Sequence, residues 1–126
     1  MKAIVDKLII QEKEMANEKG QFHLFALFLR EDAPDKWDLL VAASWINKDK
    51  VAALKYVASK VQTCLKRDEL VKLSRIVIID DDNPALGAIQ RTVHIEHGVV
   101  EIKNSSFFGL NIRHAYLITS IKDKKN

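Results

Sequence analysis

Phe22-His23-Leu24-Phe25-Ala26-Leu27-Phe28-Leu29-Arg30 is the stretch that decides the fold. It is apolar at both alternating sets of positions, so the spacing predicts a strand covered on both faces, and hence a sheet with a layer on each side. Glu31 to Lys36, with Asp32, Pro34 and Asp35, has the composition of a turn. Trp37 to Trp45 then predicts a second strand, with Trp37, Leu39, Val41, Ala43 and Trp45 on one face. A link this short favours an antiparallel pair.

Upstream, Ile4, Val5, Leu8, Ile9 and Met15 form the stripe of an N-terminal helix that Gly20 ends. Downstream, Asp49 reads as an N-cap. Val51, Leu54, Ala58, Val61 and Leu65 follow at steps of three and four, predicting a long central helix over about Lys50 to Leu65. Asp68 to Leu73 reads as a further short helix. Arg75 to Asp80 reads as a buried strand. Asn83 and Pro84 open a short helix from Ala85 to Arg91. Thr92 to Glu96 and Val99 to Lys103 flank His97-Gly98 and predict a two-residue hairpin, with His94 opposite Glu101. Asn104 to Asn111 reads as a loop carrying Phe107 and Phe108, and Arg113 to Ile121 as the last strand. The expectation is an α+β fold: a mixed, mostly antiparallel sheet of about six strands, with an N-terminal helix and one long central helix packed on it. Residues 1–121 read as a single domain, and 122–126 as a short basic tail.

Composition narrows the function classes. The 126 residues are 48% hydrophobic and 29% charged, an ordinary globular balance. The net charge is +3, from 20 basic and 17 acidic residues, and the tail carries much of it. No nucleic-acid footprint is therefore expected; the weaker route to one runs through Lys122, Lys124 and Lys125 with the helix residues Lys55, Lys60, Lys66 and Arg67. The single cysteine, Cys64, excludes an intrachain disulfide and suits a reducing compartment. The N-terminus lacks a signal-peptide stretch, and the longest apolar run, Leu24 to Leu29, is far short of a membrane span. The expected location is cytoplasmic.

The chemistry-bearing residues are mainly acidic. Asp35 and Asp38 precede or open the second strand, and Asp80, Asp81 and Asp82 follow the third. Carboxylates at the mouths of adjacent strands can hold Mg²⁺, and two such ions can support phosphoryl transfer. On this reading Asp38, Asp80 and Asp82 are catalytic candidates, and Asp35, Asp38 and Asp80 are metal ligands. The same residues suit turns and caps, where short carboxylates satisfy backbone amides. His94, His97 and His114 with Glu101 make a poor metal set, because residues three apart on a strand point to opposite faces. Glycine-rich phosphate loops, Gly-x-Ser-x-Gly elbows and Cys-x-x-Cys pairs do not occur in the sequence.

The order helix, strand, strand with Asp, helix, strand with Asp resembles the minimal nucleotidyltransferase core over roughly the first two-thirds of the chain. That family carries a Gly-Ser turn and an Asp-x-Asp pair. Here Arg30-Glu31 follows the first strand, and Leu39-Leu40 follows Asp38. The resemblance implies metal-dependent nucleotidyl or phosphoryl transfer. The leading expectation is different: a non-catalytic interaction or regulatory domain, without a cofactor, acting as a homodimer, with an unidentified protein partner as the further option. Strands this apolar need covering layers, and a second copy supplies one. The last strands are expected to form one end of the sheet, with Phe107, Phe108, Tyr116 and Ile118 at the interface.

Overall fold

The computed structural model describes residues 1–107 and 109–122. Among these residues five helices and five strands follow in the order α1 (Lys2–Lys19), β1 (Leu24–Arg30), β2 (Trp37–Ala42), α2 (Ser44–Lys48), α3 (Lys50–Cys64), α4 (Arg67–Leu70), β3 (Leu73–Ile78), α5 (Pro84–Thr92), β4 (Val100–Phe107) and β5 (Leu110–Ser120). They form an α+β fold around one sheet of order β3-β2-β1-β5-β4. β1 runs antiparallel to both β2 and β5, β4 is antiparallel to β5, and β2 and β3 are parallel.

Each face of the sheet has its own core. Phe25, Leu27, Leu39, Val41 and Ile118 point to one side, where α1 and α3 cover them with Leu8, Met15, Val57 and Val61. Leu24, Ala26, Phe28, Leu40 and Leu117 point to the other, where α5 contributes Leu86 and Ile89. The doubly apolar β1 stretch follows directly from this layering. Local caps hold the helix starts: Asp49 accepts from the Ala52 amide at 3.1 Å, and Asn83 from the Ala85 amide at 2.9 Å. At the end of α1, Gly20 takes φ 129°, and a Cβ there would meet Trp45 Cδ1 at 3.1 Å. Its carbonyl accepts from the Trp45 indole at 2.9 Å.

Several sequence expectations are corrected. The sheet has five strands, because Thr92 to Glu96 is not a strand. α5 runs on through Thr92, and Ile95 makes only an isolated bridge to Ser120. The hairpin therefore lies one segment later. β4 pairs with β5, Phe107 lies opposite Leu110, and Gly109 in the turn has φ 74°. The stretch from Asn104 reads as a loop because it is polar, but β4 is an edge strand on which polar side chains face water. Trp45 leaves β2 and lies on α2. On α3 the buried stripe is Ala53, Val57 and Val61, with Leu65 just beyond the helix; Leu54 is 40% exposed and Val51 67%. Two overlapping apolar stripes coexist on this helix, about one residue or ~100° apart. α3 is also shorter than α1, at 15 residues against 18.

Candidate functional site

The five aspartates of the metal reading do not meet. Asp38 lies opposite Arg75 in the parallel β2–β3 pair, and Asp80 follows β3 five residues beyond Arg75. At about 3.3 Å per residue that separation is roughly 16 Å along the strand. Asp35 lies in the turn before β2, at the Asp38 end. Among the described residues no group of three or more His, Cys, Asp or Glu is placed to hold a metal ion.

Three of these acids have partners from other elements. Asp38 is buried, with Arg75 Nε at 3.3 Å and Arg30 Nε at 3.5 Å. Lys50 Nζ lies 2.5 Å from Asp80 Oδ1. Asp81 accepts from Asn47 Nδ2 at 2.8 Å and lies 2.9 Å from His23 Nδ1. The turn after β3 is thus tied to α2, α3 and the start of β1. Asp82 is exposed on the rim of a shallow 540 Å³ depression shared with Arg91 and Lys122.

The histidines also find partners that local spacing does not predict. Glu101 pairs with His114 at 2.5 Å across β4–β5, not with His94. His97, at φ 55°, reaches the buried carboxylate of Glu12 at 2.5 Å. Cys64 is half-buried; burial pushes its thiol up, against the pull of Lys7, so it is a poor thiolate.

The expected interface residues take different places. β5 and β4 do form one end of the sheet, but β4 is its outer strand and β5 lies between β4 and β1, and Ile118 is fully buried within the chain. This corrects its interface role, because it has no surface to offer. Tyr116 is half-buried, with Trp37 at 5.5 Å and His114 at 4.6 Å between ring centroids. Phe107 folds back to within 5.3 Å of the Phe28 ring. Phe108, and residues 123–126 of the tail, lie outside the described residues.

The ends of the sheet are β4 and β3, and they differ in kind. β4 carries Glu101, Lys103, Asn104 and Ser106 outward, which is ordinary protection against edge-to-edge pairing. β3, Leu73-Ser-Arg-Ile-Val-Ile78, has one charge, Arg75. Sequence reading treats β3 as a buried strand, yet none of its six residues is fully buried. Ile79 donates its amide to Val41 of β2 at 2.9 Å. By alternation along the strand, the backbone groups of Ile78 and Ile76 then face away from β2. Beside this edge, Leu54, Ala58, Val61, Leu70, Leu73 and Ile76 line a 630 Å³ groove between α3 and β3, with Gln62, Ser74 and Arg75 as its polar members. The signal that could have found it is the second apolar stripe of α3, through Val51 and Leu54.

No family model, curated protein or solved structure matches the chain. Among the described residues no helix is long and apolar enough to cross a membrane.

Proposed function

We propose that this chain is a non-catalytic interaction module that pairs with a second copy of itself through β3, in a reducing compartment such as the cytoplasm. The observation that carries it is the unguarded β3 edge beside the α3 groove. Antiparallel pairing of β3 with its two-fold mate satisfies the outward amides and carbonyls and extends the sheet across the axis. A six-residue strand pair alone falls short of the roughly 1,200–2,000 Å² that a stable interface buries; the apolar groove adds the remainder. Arg75, the one charge on β3, borders the groove as well as the opposite face, and there it is already paired with Asp38 at 3.3 Å, which limits like-charge repulsion between two copies. The metal-dependent transfer reading loses its support because Asp38 and Asp80 stand at opposite ends of β3.

Amide hydrogen exchange read against protein concentration tests the pairing. The amides of Ile76 and Ile78 are expected to be protected at tens of micromolar and to lose that protection on dilution. Fast exchange of both at every concentration, or concentration-dependent protection appearing along β4 instead, contradicts it.

A further inference from the structure

On the sheet face away from α3, a 180 Å³ cavity lies between Asn83 at the start of α5 and Leu110 of β5, and its walls include Phe28, Leu40, Val77, Ile79 and Ile112. Arg30, Asp38 and Arg75 supply its charge. Asp38 is 5% exposed and is shared by two guanidiniums. Arg75 reaches it through Nε at 3.3 Å and Nη2 at 3.4 Å, and Arg30 through Nε at 3.5 Å. All three contacts are longer than the ~2.7–2.9 Å of a tight charge-assisted bond. Among the described residues Arg30 also pairs with Asp32, at 3.6 Å and 71% exposed, a surface pair of small energetic weight. Two cations thus share one buried anion, with loose geometry, beside an apolar hollow.

We propose that this cavity binds a small monocarboxylate with a compact apolar body, of the size of benzoate. An arginine fork matches a planar carboxylate, and each guanidinium has five donors, more than Asp38 engages. The ligand carboxylate sits between Arg30 and Arg75 and supplies the missing negative charge. Asp38 fixes the two guanidiniums from beneath. The body packs against Leu40, Val77 and Ile112. An apolar cavity of about 150 Å³ is known to accommodate benzene, so a single ring is the right scale for this hollow. Few convergent polar groups on an otherwise apolar wall are the usual anatomy of a small-molecule site.

The test is a titration of isotope-labelled protein with sodium benzoate at constant ionic strength, followed by amide chemical shifts. Saturable shifts at Leu40, Val77 and Ile112 are expected, weakened about tenfold or more in Arg75→Gln and in Arg30→Gln, which each remove a charged hydrogen-bonding partner. Benzamide, which lacks the charge, and inorganic phosphate, which lacks the apolar body, are expected to give no saturable shift at these residues. Absence of saturation with benzoate, equal binding of benzamide or phosphate, or undiminished binding in both arginine variants overturns the proposal. Arg75 borders both this cavity and the groove, but the pairing is read at the Ile76 and Ile78 amides without benzoate, so failure of the cavity proposal leaves the pairing of β3 untouched.

Discussion

Glu12 occupies a position that the stripe of α1 would give to an apolar side chain, four residues after Leu8, and it is fully buried. A carboxylate there requires partners. Thr119 Oγ1 donates to it at 2.8 Å, and His97 Nδ1 lies 2.5 Å away. Burial pushes the Glu12 carboxyl above its ordinary value of 4.5, while the bonds from His97 and Thr119 pull it back in part. The folded chain therefore holds this proton more tightly than the unfolded chain does. The stability Glu12 contributes is complete below its ordinary value and is lost as pH rises through the raised one. Urea unfolding of the parent protein is accordingly expected to lose stability relative to Glu12→Gln as pH rises from about 4.5 toward neutrality. Parallel pH profiles for the two proteins would show that Glu12 titrates alike in both states. Asp49 and Asn83 were readable as caps because their partners lie two or three residues away. The Glu12–His97 contact spans 85 residues, so no local spacing announces it.

At the scale of elements, α3 separates what periodicity can and cannot say. The helix and its N-cap follow from the sequence, but two apolar stripes compete for the core. The sheet selects Ala53, Val57 and Val61. Val57 is fully buried, so Val57→Ala is expected to cost about 1.5–3 kcal/mol in chemical denaturation. Leu54→Ala, at a half-exposed site of the monomer, is expected to stay within about 0.5 kcal/mol when measured at concentrations too low for pairing. The reverse ranking would restore the stripe through Leu54. The β4 segment failed in the other direction. Asn104, Ser105 and Ser106 have loop composition, and only their place at the sheet edge lets them be strand. The acidic residues were legible as a group, but their dispersal was not. It depends on β2 and β3 being parallel, which puts Asp38 and Asp80 at opposite ends of the pair.

For the molecule as a whole, the decisive feature is strand order. The β1–β5 pairing joins segments about ninety residues apart in sequence and turns the last strand from an expected edge into an interior strand. That transfers the unprotected edge to β3, and with it the surface through which the chain is proposed to pair. The α3 stripe rejected by the core then has a use, since Leu54 lines the groove beside that edge. The Ile76 amide faces away from β2 by the alternation along β3, so proline at Ile76 removes a donor from the free edge without removing a β2–β3 ladder bond. Light scattering across a gel-filtration peak at tens of micromolar is the most direct measurement. The account predicts a mass near twice 14.4 kDa for the parent chain, falling to 14.4 kDa in Leu54→Asp and in Ile76→Pro. A parent chain of 14.4 kDa at that concentration, or a dimer that survives both substitutions, would contradict it.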